Sequence, residues 1–123
     1  MARLGEVLMD PALTPAVEAL VVHNSNPAVS CPDQNRVLAG LARHDLYTVV
    51  IEQFVTDTAR YADIVLPATT YFEHGDDVAV GYGAYAASPI RQVIAPVGES
   101  WTNSQVAAGL ADALGIDGYQ PDQ

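Results

Sequence analysis

Three short polar stretches each follow directly on an apolar run: His23-Asn24-Ser25-Asn26-Pro27, Glu52-Gln53-Phe54 and Pro67-Ala68-Thr69-Thr70. All three are rich in hydrogen-bonding groups, carboxamides, a carboxylate and hydroxyls, as the lining of a ligand pocket requires. Glu52 stands where an acid in a dinucleotide fold accepts hydrogen bonds from ribose hydroxyls; taken alone, it reads as a solvated surface acid. Asn26-Pro27 is by itself an ordinary turn pair, and Asn103 an ordinary helix cap. The GxGxxG fingerprint is absent from the first turn, which argues against ordinary NAD binding.

Other reactive residue types are present without a pattern that would put them to work. The three histidines, at positions 23, 44 and 74, have no paired spacing for a metal. His44, beside Asp45, reads as a surface residue. Asp63, just before an apolar run, reads as a strand cap or an acceptor of backbone amides. Asp76-Asp77 could form a carboxylate dyad, but adjacent acids in a glycine-rich loop are ordinarily solvated. No Ser-His-Asp or Cys-His arrangement follows from spacing, so no residue is assigned as catalytic. Cys31 is the only cysteine, which excludes an intrachain disulfide or a cysteine-rich zinc site; it reads as a partly buried thiol near the first helix.

The elements that must position these stretches are legible in outline. Ala19-Leu20-Val21-Val22, Tyr47-Thr48-Val49-Val50-Ile51 and Ile64-Val65-Leu66 are continuous apolar runs. Such runs suit strands covered on both faces, as in a parallel sheet. Between the first two, Val37, Leu38, Leu41 and Ala42 fall at helical spacing behind Pro32-Asp33. Between the second and third, Thr56 to Tyr61 predicts about two helical turns with Thr56 as cap. The order β-α-β-α-β predicts an α/β fold: a three-layer, Rossmann-like, doubly wound parallel sheet with flanking helices. In such a sheet ligands sit at the carboxyl ends of the strands, where the three polar stretches lie. From Ala68 to Ser100 the chain holds four of its nine glycines and reads as long loops. Thr102-Asn103 then caps a last helix with Val106, Leu110, Ala113 and Leu114 on one face. Gly115 is its stop, and residues 116–123 are expected to fray.

Composition narrows the partners. The 123 residues carry a net charge of −10 and no lysine. Nucleic acid and anionic membrane surfaces both call for a basic face, so neither is expected as a partner. No apolar run approaches the roughly 20 residues that cross a bilayer, so direct membrane insertion is not expected. A small anionic ligand stays open, because backbone amides can hold phosphate without lysine.

HNSNPAVSCPDQNRV, LYTVVIEQFVTDTARYADIVLPATTYFEH and IAPVGESWTNSQVAAGLADALG, in that order, resemble the molybdopterin oxidoreductase family, the dimethyl sulfoxide reductase and formate dehydrogenase group. The match runs from about Ala19 to Gly115, and T-x-TA-x-x-ADIVLPATT-x-x-E is its specific motif. The resemblance implies residues 1–123 as a single α/β domain or fragment from the later of two central domains, each of which covers one pterin dinucleotide. The implied cofactor is molybdopterin guanine dinucleotide with molybdenum or tungsten. It further implies an iron–sulfur cluster in an N-terminal segment of many members, and a metal ligand from an earlier domain, which Cys31 does not match. The expected partners are other domains of the same polypeptide and an electron-transfer subunit.

Residue by residue, the resemblance implies cofactor contacts for Asn26 of the NP turn, for Ile51 and Glu52 at the end of the second strand, and for Asn103 at the last helix. Ser30 lies four residues beyond Asn26, at a position where relatives carry histidine. His74 follows the matched Glu73, where some relatives place arginine. The implied function is cofactor binding within a larger oxidoreductase, with no turnover from the chain alone. Two alternatives remain: a non-catalytic structural relative within a respiratory complex, and a stand-alone nucleotide-binding module. The sequence leaves the compartment open between cytoplasm and periplasm, with the cytoplasm slightly favoured.

Overall fold

In the computed structural model, residues 3–75, 78–80, 83 and 87–117 are described, 78–80 by their backbone alone. The chain divides into two compact units, residues 1–66 and 67–123.

The first unit is built on the three apolar runs. They form β1 (Ala19–His23), β2 (Tyr47–Glu52) and β3 (Ile64–Pro67) of one sheet, whose last residue opens the second unit. The strand order is β1-β2-β3. β1 and β2 run parallel, in a register that sets Leu20 beside Thr48 and Val22 beside Val50. The α/β class therefore stands as the sequence predicted.

Strands that follow one another in sequence order, joined by right-handed crossovers, receive both crossovers on the same face. That face is where the core sits. Val22, Val50 and Ala59 form one buried cluster, with Leu20 and Ala62 packed on it. Leu20 also meets a second cluster that includes Leu8, Ala28, Val37 and Leu41. On the opposite face Val21 is 62% exposed and Tyr47 50% exposed. The cover on that face is partial among the described residues: Ile51, on the same side of β2 as Tyr47, is only 6% exposed.

The helices of the first unit are short. α1 (Leu4–Leu8) was not anticipated, and it packs against α3 (Gln34–Leu41). Gly40 permits the approach: a Cβ there would lie 2.6 Å from the Leu8 Cβ. α2 (Pro27–Ser30) is a single turn. Asp33 sits at the start of α3 as predicted, but in a left-handed conformation and without a side-chain cap bond. The two helical turns expected from Thr56 to Tyr61 reduce to one 3-10 turn, Ala59–Tyr61. Thr56 still behaves as a cap, its Oγ1 accepting the Ala59 N–H at 3.3 Å.

In the second unit the expected loops enclose an antiparallel hairpin, β4 (Val78–Val80) and β5 (Ala87–Pro89). Asp76-Asp77, weighed as a dyad, lies outside the described residues. α4 (Asn103–Ala113) begins at Thr102, which exchanges hydrogen bonds with Gln105 in a complete capping box. Asn103 is thus the first helical residue, one past the cap. The helix closes at Gly115, φ +67°, as predicted. Gly115 N–H bonds to Asp112 O at 3.0 Å and Ile116 N–H to Ala111 O at 2.9 Å, the paired bonds of a Schellman ending. Its buried face differs from the expected one. Val106 and Ala111 are buried, whereas Leu110 and Leu114 are 44% and 72% exposed. Residues 118–123 of the predicted frayed tail lie outside the described residues.

Candidate functional site

Asn26 is the centre of the first unit's polar edge. β1 ends at His23, and Asn24 turns the chain with φ +48°, a conformation that asparagine tolerates. Asn24 N–H donates to Ile51 O at 3.2 Å, tying this turn to the end of β2. The Asn26 Oδ1 accepts both the N–H of Thr58, at 3.1 Å, and its hydroxyl, at 2.7 Å. Thr58 Oγ1 in turn accepts the Ala28 N–H at 3.0 Å. An N–H can only donate, so the oxygen of the Asn26 amide must face Thr58. Its Nδ2 is left as a donor with no partner among the described residues.

The neighbouring candidates divide by what the fold has already used. Ser30 is exposed, and its hydroxyl donates back to Asn26 O at 2.9 Å. Ile51 is buried in the core, so its polar contribution is confined to a carbonyl that Asn24 already engages. Glu52 is half-buried. Its Oε1 accepts the N–H of Gln53 at 2.8 Å, which fixes the carboxylate at the strand end and leaves Oε2 as an acceptor. Asp63 behaves as expected, its Oδ2 accepting the Thr48 N–H at 2.7 Å. Cys31 is buried beside α2, and His44 is exposed.

In the second unit the polar edge is the loop Thr69–His74. Glu73, only 5% exposed, staples it: Oε2 accepts the Thr70 N–H at 2.6 Å and the Thr70 hydroxyl at 2.8 Å. Oε1 accepts the Val97 N–H at 3.1 Å. The Thr70 amide, then the Thr70 hydroxyl, hold this carboxyl below the ordinary glutamate range against the opposing effect of burial. His74 is half-buried. Its Nδ1 lies 2.9 Å from Thr70 O and 3.4 Å from Thr69 Oγ1. The Trp101 backbone joins this loop to α4: Thr69 N–H donates to Trp101 O at 2.9 Å, and Trp101 N–H to Pro67 O at 3.1 Å. Asn103 follows two residues later, exposed, with a side chain that makes no hydrogen bond among the described residues.

The structure therefore groups Asn26 and Ser30 with the β2 end that carries Ile51 and Glu52. Separately, it links the loop of His74 to the helix start that carries Asn103. Two residues that organise these edges escaped the sequence-based assignment, Thr58 and Glu73. Both are buried polar residues inside the most specific sequence motif, and that was the available signal.

The family model described as "Molybdopterin oxidoreductase" matches residues 9–113. The chain belongs to the molybdopterin oxidoreductase family. A Bacillus subtilis protein, "Probable oxidoreductase YoaE", is 44% identical over 116 residues, which make up 94% of this chain and 17% of that protein. The dimethyl sulfoxide/trimethylamine N-oxide reductase of Cereibacter sphaeroides is 35% identical over 126 residues, covering 93% of this chain and 15% of the reductase. Among solved structures, acetylene hydratase from Pelobacter acetylenicus aligns with a TM-score of 0.78 at 26% identity, over 96% of this chain and 16% of the hydratase. The chain thus spans about one-sixth of the length of these larger relatives.

Proposed function

We propose that the chain is a cofactor-binding domain of a larger molybdopterin-dependent oxidoreductase, and that it holds the guanine dinucleotide part of the pterin at the carboxyl ends of its strands. The observation that carries this reading is the Asn26 amide. Its oxygen is locked by Thr58, and its nitrogen remains a fixed donor, unpartnered among the described residues, beyond the end of β1. A nucleotide is a suitable ligand for such an edge, because it offers acceptors and donors within a few ångströms of each other. Glu52 complements it with a free carboxylate oxygen, suited to sugar hydroxyls or base N–H groups. Ser30 and the Ile51 backbone line the same edge, and His74 and Asn103 are the second unit's proposed cofactor contacts.

When bound, the molybdenum or tungsten pterin supplies the two-electron redox chemistry. The residues of this chain bind and orient; none of them is assigned to the reacting atoms. Turnover is accordingly not expected from the 123 residues alone, and substrate reduction by the purified chain would overturn that statement. The metal ligand, any iron–sulfur cluster and the electron-transfer partner are assigned to parts of the larger protein outside this sequence.

The deciding experiment is metal and pterin analysis of the natural full-length protein purified without oxygen. Stoichiometric molybdenum or tungsten with a guanine dinucleotide pterin is the expected result. A fully matured protein that lacks both would overturn the proposal in favour of a non-catalytic relative of the same fold.

A further inference from the structure

His74 follows the stapled glutamate, and the structure fixes more than its position. Glu73 holds Thr70 by both its amide and its hydroxyl, so the Thr70 carbonyl is set in place. That carbonyl lies 2.9 Å from His74 Nδ1. A carbonyl oxygen can only accept, so Nδ1 must carry the proton. The Thr69 hydroxyl, at 3.4 Å from the same nitrogen, is the longer contact and does not compete with this assignment. In the neutral ring the second nitrogen, Nε2, is then a lone-pair acceptor, and it has no partner among the described residues.

We infer that His74 is a specificity residue that accepts a hydrogen bond from its ligand: Nε2 meets an O–H or N–H of the nucleotide, a sugar hydroxyl or a base amine, and not a phosphate oxygen. This rests on the cofactor-binding reading above and sharpens it. The resemblance places His74 where some relatives carry arginine, a side chain that donates to phosphate. In the structure the donor nitrogen is spent on Thr70. A phosphate oxygen facing Nε2 would set two acceptors against each other, and relieving that conflict requires a protonated ring. Among the described residues the ring contacts the Thr70 carbonyl, the Thr69 hydroxyl and the edge-on Tyr71 ring, with centroids 6.5 Å apart. The Glu73 carboxylate, next in sequence, is engaged by the Thr70 and Val97 donors.

Two measurements test this. The first is nitrogen NMR of the 123-residue chain with labelled histidine, at about pH 8.5, where neutral imidazole tautomers can be told apart. The expected spectrum has a protonated Nδ1 and a bare Nε2 for His74. The opposite tautomer would overturn the inference. The second is pterin content per mole of full-length protein after dialysis, for wild type, His74→Gln and His74→Arg. Glutamine can still accept at the Nε2 position, whereas arginine offers donors only. The expected result is near-normal content for His74→Gln and about a fivefold loss for His74→Arg, the scale of one lost hydrogen bond. His74→Arg retaining as much as wild type would overturn the inference and leave the cofactor-binding reading intact. A wild-type protein without pterin would remove that reading and this inference with it.

Discussion

Replacing Asn26 separates two jobs that one side chain holds. Its Oδ1 belongs to the fold, accepting the N–H and hydroxyl of the fully buried Thr58; its Nδ2 is the proposed ligand donor. Asn26→Ala removes both. The buried Thr58 amide then has no acceptor, which costs about 1–3 kcal/mol. Asn26→Asp keeps an acceptor oxygen towards Thr58 and strengthens it with charge, so its stability is expected within about 0.5 kcal/mol of wild type.

Amide hydrogen exchange at Val50, a central strand residue with no exposed surface, reports the opening of the first unit. A 2 kcal/mol loss corresponds to roughly thirtyfold faster exchange through opening. Asn26→Ala should show exchange accelerated on that scale and Asn26→Asp little change. In the full-length protein both variants should lose pterin, because Asn26→Asp presents an acceptor where the amide presented a donor. Equal destabilisation by the two variants would refute the assigned amide orientation. Full pterin content in Asn26→Asp would refute the ligand role of Nδ2.

Thr48 is completely buried and its Oγ1 has no hydrogen-bond partner among the described residues, so Thr48→Val should raise stability by about 1 kcal/mol in denaturant unfolding; a loss of that size would show that the hydroxyl is satisfied. Gly40→Ala should destabilise by about 1–3 kcal/mol despite the better helix propensity of alanine, because its Cβ would lie 2.6 Å from that of Leu8. Unchanged stability would show that α1 is free to move aside. Glu73, with its carboxyl held below the ordinary range by Thr70 and Val97 donors, contributes stability that is complete above the unfolded glutamate range. That contribution is lost as pH falls through the lower folded value. Acid unfolding of the second unit, followed by Trp101 fluorescence, should therefore begin below the ordinary glutamate range, and Glu73→Gln should flatten that transition. An acid transition unaltered by Glu73→Gln would refute the assignment.

The strands were legible because each apolar run is continuous and ends at a polar turn; all three appear within a residue or so of where the sequence places them. The helix expected from Thr56 to Tyr61 shrank to one turn because the segment around Thr58 is fixed by long-range side-chain bonds, to Asn26 and between Asp63 and Thr48, that local propensity does not register. α1 has only five residues and depends on the close approach at Gly40, a tertiary fact that no periodicity announces. The face of α4 was misjudged for a related reason. The pattern shows which residues could be buried, but Leu110 and Leu114 stay exposed because no described residue covers them.

The residue types at the candidate positions of each unit can be read from the sequence; their hydrogen-bonding polarity cannot. Asn, Glu and His each have more than one polar atom, and sequence alone does not say which one the fold consumes. Thr58 consumes the Asn26 oxygen and leaves a donor. The Gln53 amide consumes one oxygen of Glu52 and leaves an acceptor. Thr70 consumes the His74 proton and leaves an acceptor. Phosphate needs donors, and of these three side chains only Asn26 presents one. Sugar hydroxyls and base N–H groups need acceptors, which Glu52 and His74 supply without lysine and in a chain of net charge −10. The affinity of these positions for a nucleotide should therefore come from the base and sugar more than from charge, and it should depend weakly on salt. A steep loss of nucleotide binding with rising salt would count against that polarity, whichever residues carry the contacts.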